Sequence, residues 1–348
     1  MRKGKPRFRY LAAAVVALAA VIAAPAEAAP GLVPAADREV VFTADGTTVY
    51  GTLHVPEHRA GQRLRAALLL PGSGPTDRDG NQPPVFSPDT LAQLADALDE
   101  EGIATLRFDK YGTGRTGLGA YRDHPEDLDY PAFVRQARAA YESLRGQPEA
   151  DPHRLLLVGH SEGAMTGLVL GGTVRPRPVG LALLQPQAIR MLDLVSLQLK
   201  AQVAEAARQG QLTPEQQRTV NAAIDAAITS LREHRPVDTT DLPAEIAQLF
   251  EAFQGTSARF VVSDDAVNPP DIARTLRPGT RVLLTCGTND PQVPCATTNA
   301  LTNALRHAYA GRPGRVTLPA VDHLMHDPDH PDSLAPSVLD ALRRLTRH

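Results

Sequence analysis

The sequence has no tryptophan, only two cysteines in 348 residues and no apolar run long enough to span a membrane. So few cysteines exclude a disulfide-dense mini-protein, and two alone cannot complete a zinc site. An excess of positive charge is missing too: 36 Lys and Arg stand against 39 Asp and Glu, for a formal net charge of −3. A nucleic-acid binder would need a basic surface, so this balance argues against that partner class. Lysine occurs only four times beside heavy use of alanine, arginine and proline, a bias that says little about function. There is no collagen-like period, no internal repeat and no low-complexity tract beyond the N-terminal segment. What is present is a globular composition, 43% hydrophobic and 22% charged. The length can bury a full core, as one large α/β domain or two smaller ones.

The first residues read as a targeting segment. Arg2, Lys3, Lys5, Arg7 and Arg9 precede an unbroken apolar run, Leu11 to Ala24. A comfortable membrane span needs about 20 such residues, so this run is too short. Ala26-Glu27-Ala28 then supplies small residues at the two positions that a signal peptidase reads, and the expectation is a secretory signal peptide, 1–28, cut after Ala28. Its removal takes away five positive charges and one negative, moving the net charge from −3 to −7. No later segment is apolar enough to span a bilayer, so no stable membrane anchor is expected and the mature protein should be extracellular. Cys286 and Cys295 would then lie in a compartment that allows disulfides. A bridge between them is expected, with two separate buried thiols as the alternative.

Beyond the leader, strand and helix patterns alternate. Arg38 to Phe42 and Thr47 to Val55 read as strands joined at Asp45-Gly46, a strong turn dipeptide. Ala66 to Leu70, Thr105 to Phe108, Leu155 to Val158, Val179 to Leu184, Arg281 to Thr285 and Val316 to Leu318 are apolar, strand-like runs. Helical spacing falls between them, at Asp89 to Glu101, Tyr130 to Leu144, Ser161 to Leu170, Thr297 to Ala310 and Ser333 to Arg347. This order predicts a mostly parallel sheet with helices on both faces. The rhythm breaks over residues 186–275, where helical patterns dominate. Thr213-Pro214-Glu215-Gln216 has the form of a capping box, and Val220, Ile224, Ala227, Ile228 and Leu231 share one helix face. The expected organisation is a catalytic core, 29–185 and 276–348, interrupted by a helical cap, 186–275.

One motif carries chemistry. Gly159-His160-Ser161-Glu162-Gly163 is a G-x-S-x-G sequence between a buried strand and a helix, the setting of a nucleophile elbow. The alternative is a serine that merely caps a helix. A serine hydroxyl needs a base, and the base needs a carboxylate to orient it. His323, in Val321-Asp322-His323-Leu324 after the last strand, is the preferred base; His326 competes by position. His160 lies inside the elbow, and its side chain is expected to point away. Asp290, in Gly287-Thr288-Asn289-Asp290 beyond a strand's C-terminal end, is the preferred acid over Asp322, Asp264 and Asp265. The order Ser161, Asp290, His323 fits this architecture. Pro71-Gly72-Ser73-Gly74-Pro75 follows the first buried strand, and the N–H groups of Ser73 and Glu162 are the candidate oxyanion donors. No Gly-Lys-Ser/Thr follows, which argues against a phosphate loop.

These residues resemble the α/β-hydrolase superfamily over nearly the whole mature chain. Gly72-Ser73-Gly74-Pro75-Thr76-Asp77-Arg78-Asp79-Gly80-Asn81 is similar to a loop of its dienelactone-hydrolase-like and serine-aminopeptidase-like esterases. Phe108-Asp109-Lys110-Tyr111-Gly112-Thr113-Gly114, the Asp290 segment with Val293-Pro294, and Asp322-His323-Leu324 resemble further loops of that branch. The resemblance implies Ser161 as nucleophile, Asp290 as acid, His323 as base, and a structural role for Arg78 and Asp79 in fixing the oxyanion loop. It implies a serine hydrolase acting on a small-molecule ester or acyl substrate through an acyl-enzyme, with no metal and no cofactor. A peptidase on the same fold would need acidic residues to anchor a free amine, for example near Glu245 or Glu251. An acyltransferase would use the same triad and exclude water; a binding module without activity is a further class. The cap is rich in Ala, Leu and Ile, which fits an apolar acyl pocket and equally fits plain helix packing.

Overall fold

The computed structural model describes residues 31–306 and 315–346; the leader and its cleavage site lie outside them. An eight-stranded sheet runs in the order β10 (Arg315–Leu318), β9 (Arg281–Gly287), β8 (Gly180–Leu184), β7 (Ala150–His160), β5 (Leu64–Leu70), β6 (Ala104–Phe108), β3 (Thr47–Val55) and β2 (Ala36–Ala44). β2, β3 and β6 pair antiparallel and all the other neighbours are parallel. A small ribbon pairs β1 (Leu32–Val33) with β4 (His58–Arg59). The β2–β3 hairpin turns at Asp45 and Gly46, both at positive φ, the two-residue geometry that suits twisted strands.

The parallel strands are apolar on both faces, and their alternation sorts them into two cores. Ala66, Leu68, Leu155, Leu157, Leu181 and Leu183 point to one face, against α2 (Tyr130–Arg145) and α3 (Glu162–Thr173). Ala67, Leu69, Leu156, Val158, Ala182 and Leu184 point to the other, against α1 (Thr90–Asp99) and α10 (Pro336–Thr346). Burying a Leu or Val contributes roughly 1.5–3 kcal/mol each, so these paired faces hold the sheet in register.

Between β8 and β9 the chain forms α4 (Met191–Arg208), α5 (Pro214–Arg232), α6 (Ala244–Gln254), α7 (Ala258–Asp265) and α8 (Pro269–Arg274). α4 to α7 share an apolar cluster of their own, built on Leu199, Ile224, Phe250 and Val261. The capping box forms as the sequence predicts, with Thr213 Oγ1 accepting from Gln216 N–H and Gln216 Oε1 from Thr213 N–H. Several boundaries differ from expectation by a few residues, and two of them are instructive. β7 begins at Ala150 rather than Leu155, because its polar first half borders β5 through Leu64. The helix expected from Thr297 opens as a 3-10 turn, Cys295–Thr298, before α9 (Asn299–Leu305).

Candidate active site

The loops that follow β5, β7, β9 and β10 meet beyond the C-terminal edge of the parallel strands, where open α/β sheets place their sites. At the end of β7 the chain turns into α3 through Ser161, whose φ of 56° and ψ of −121° are strained for a residue with a side chain. The turn is possible only because its flanks lack bulk. A Cβ on Gly159 would sit 2.2 Å from Gly163 O, and one on Gly163 would sit 2.1 Å from Leu70 O. The backbone is then pinned: Ser161 N–H donates to Leu184 O, and Gln187 N–H donates to Ser161 O.

The structure brings His323 and Asp290 together, with His323 Nδ1 2.8 Å from Asp290 Oδ2 and both side chains buried. Asp290 is itself fixed, since its Oδ1 accepts from the backbone N–H of Gln292 and of Val293 at 2.9 and 2.8 Å. Thr288 N–H donates to Leu318 O and Asn289 N–H to Val321 O, which ties the acid loop to the histidine loop. Cys286 and Cys295 form a disulfide across the segment that carries Asp290.

The rival residues have other partners. His326 donates its backbone N–H to Asp322 Oδ1, while its ring Nε2 is buried without a hydrogen bond. Asp265 is held by Arg190, Arg232 and the Leu192 N–H, and Asp264 accepts from Gln187 Nε2.

A cavity of about 90 Å³ is lined by Ser161, His323, His160, Ser73, Gln292 and Phe86, among others. His160 corrects the sequence expectation. Its ring does not point away; it lies in the cavity wall, with Nε2 2.7 Å from His323 O and the two rings 4.8 Å apart. The carbonyl can only accept, so the His160 proton sits on Nε2. Burial, then repulsion from His323, lowers the His160 pKa to about 3, which keeps the ring neutral.

Ser73 stands in a tight turn, its carbonyl accepting from Thr76 Oγ1 and Gln82 Nε2. Arg78 pairs with Asp109 rather than Asp79, donating from Nε and from the guanidinium tip to the two carboxylate oxygens. Asp79 instead faces Arg107 at 3.3 Å. These contacts tie the loop after β5 to the strand and loop of β6.

Sequence reasoning missed a buried polar group behind the elbow. Lys110 Nζ donates to Gly72 O at 2.6 Å and lies 3.7 Å from Glu162 Oε1. Burial is the larger cause of both shifts, lowering the Lys110 ammonium and raising the Glu162 carboxyl, and their mutual attraction offsets part of each. No pattern in the sequence marks a lysine as buried.

Among the described residues, no group of three or more His, Cys, Asp or Glu is placed to hold a metal ion, and no helix is long and apolar enough to cross a membrane.

Comparison with known proteins places the fold. In solved structures the chain is similar to a Pyrococcus furiosus esterase, with TM-score 0.55 and 14% identity over 92% of this chain and 97% of that one. A dienelactone hydrolase from Anabaena variabilis gives TM-score 0.52 and 14% identity, covering 90% and 98%. An acylaminoacyl peptidase from Pyrococcus horikoshii gives TM-score 0.53 and 12% identity, covering 90% of this chain and 41% of that one. At such identities the likeness shows the fold. Two uncharacterised proteins of Mycobacterium tuberculosis strains are 32% identical over 164 residues, 47% of this chain and 50% of theirs. The chain thus spans about half the length of the curated relatives it matches. The model of the alpha/beta hydrolase family matches residues 67–337, and the chain belongs to that family.

Proposed function

We propose that this hydrolase cleaves carboxylic esters by two-step acyl transfer. The observation that carries the reading is the His323–Asp290 pair, 2.8 Å apart, whose histidine lines the same cavity as a serine at positive φ. His323 takes the Ser161 proton as the oxygen attacks the ester carbonyl. The oxyanion rests on the N–H groups of Ser73 and Glu162. His323 returns the proton to the leaving alcohol, and water, activated by the same histidine, hydrolyses the acyl-enzyme. Asp290 holds the imidazole with its proton on Nδ1 and stabilises the cation that forms.

The cavity's size favours a short acyl group, since sites for larger ligands run to about 300–1,000 Å³. Its lining residues include no carboxylate, while Glu245 and Glu251 lie exposed on α6, so an anchor for a free amine is not found there. This favours an ester over an aminopeptidase substrate. α4 to α8 stand as a cap on the core, and the leader 1–28 directs the protein outside the cell, where the Cys286–Cys295 bridge is stable. A panel of p-nitrophenyl esters and aminoacyl amides tests the substrate class. Acetyl and propionyl esters should turn over fastest, and a preference for the amides would overturn the reading.

A further inference from the structure

Lys110 is buried, has no place in the acyl-transfer steps above, and touches both halves of the candidate oxyanion hole. It sits after β6, with its side chain 7% exposed. Its ammonium donates to Gly72 O at 2.6 Å, faces Glu162 Oε1 at 3.7 Å, and lies 5.4 Å from the centre of the Phe133 ring. Gly72 C=O and Ser73 N–H belong to one peptide plane. In a planar trans peptide these groups point in opposite directions. A cation held on the oxygen therefore fixes the direction of the Ser73 N–H. It also polarises the peptide, which strengthens that N–H as a donor. The other partner of the ammonium is the side chain of Glu162, the residue whose own N–H is the second candidate donor. One ammonium thus links the loop after β5 to the first turn of α3.

For stability alone this arrangement gains little. Burying an ion pair carries a desolvation cost that an apolar pair of similar volume avoids. The pair is moreover not isolated: Asp264 of α7, fully buried, also acts electrostatically on both Lys110 and Glu162. Asp264 belongs to the helices between β8 and β9.

We propose that Lys110 is a positioning residue, holding the Gly72–Ser73 peptide and the Glu162 backbone in the orientation that binds the oxyanion. The proposal rests on the esterase reading and names a group that acts through the backbone, without touching substrate.

The test uses the full mature chain and the double variant Lys110→Met/Glu162→Gln, which removes both charges of the clamp together and leaves Asp264 its hydrogen bond from Gln187. Removal of a whole oxyanion donor costs about 10²–10³ in kcat, so loss of its support should cost about tenfold to a hundredfold. KM for p-nitrophenyl acetate should stay within about twofold. A trifluoromethyl ketone, whose serine adduct carries the oxyanion, should lose affinity by the same factor as kcat. A site that was merely loosened would raise KM and leave that correspondence broken. Wild-type kcat in the variant, or a loss confined to KM, would overturn the proposal. If this variant does not melt cooperatively, Lys110→Gln/Glu162→Gln, with a neutral donor of shorter reach, replaces it. A smaller loss, again with inhibitor affinity falling in step, is then expected, and unchanged kcat overturns the proposal. Ser161→Ala is run in parallel. Full activity there overturns the esterase reading itself, whereas an inactive Ser161→Ala beside a fully active double variant overturns only the role of Lys110.

Discussion

Replacing Asp290 by asparagine exchanges one oxygen for an NH2 group at the centre of the site. The carboxylate makes three contacts, accepting two backbone N–H groups on Oδ1 and facing His323 Nδ1 with Oδ2. Asparagine can keep the first two by placing its single oxygen where Oδ1 stands. Its NH2 then faces His323 Nδ1 and turns that nitrogen into an acceptor. The proton moves to Nε2, so the imidazole can no longer accept a proton from Ser161. All the hydrogen bonds survive in neutral form, so folding stability should change by no more than about 1 kcal/mol. Activity should not survive: the wrong tautomer in a triad of this type costs about 10⁴ in kcat. The assay is kcat on p-nitrophenyl acetate beside a urea denaturation curve. A stable variant with kcat within about tenfold of wild type would falsify the assignment of Asp290 as the orienting acid. Asp322→Asn serves as the control, since Asp322 Oδ1 accepts only a turn N–H from His326. An equal loss there would refute the choice between the two aspartates.

Two further outcomes follow from the same geometry. Cys286 and Cys295, nine positions apart, close a short loop, and the loop-entropy relation gives about 2.7 kcal/mol of stabilisation. Cys286→Ser/Cys295→Ser should lower the urea midpoint accordingly and reduce kcat by loosening Asp290; unchanged values for both would show that the loop needs no clamp. His160 has a folded pKa of about 3 against an ordinary value near 6.5, so below pH 6.5 the unfolded chain takes up a proton that the folded chain refuses. This site therefore removes about 1.4 kcal/mol of stability per pH unit as pH falls from 6.5 towards 3. His160→Gln, which keeps a donor for His323 O, should flatten the acid limb of the stability curve by one proton, and an unaltered slope between pH 7 and 4.5 would contradict it.

The sequence carried the sheet because its signals are local. Runs such as Ala66 to Leu70 and Leu155 to Val158 are apolar at every position, which suits strands covered on both faces. The elbow was legible because steric demand leaves glycine as the only residue at 159 and 163. Asp290 and His323 could be proposed from their places after strands, since strand ends gather in parallel sheets. What could not be read is what depends on distant backbone. His160 points into the cavity because the carbonyl of His323, 163 residues away, accepts from it. Lys110 is buried because Gly72 O and Glu162 wait for it, and neither is near it in sequence. The partners through which Arg78 and Asp79 hold their loop, Asp109 and Arg107, lie about 30 residues away and are equally invisible in the sequence. Side-chain pairing across loops has no periodicity from which it could be inferred.

The acyl-transfer mechanism stands or falls with Ser161 as the nucleophile. Its most direct test is intact-protein mass spectrometry after reaction with a fluorophosphonate probe, comparing the wild-type chain with Ser161→Ala. Removing the nucleophile hydroxyl of such a triad costs about 10⁶ in kcat. One probe adduct per wild-type chain is expected, mapped to Ser161, with no adduct and no ester turnover in a Ser161→Ala variant that melts like wild type. An adduct on the variant, or turnover close to wild type without this hydroxyl, would contradict it.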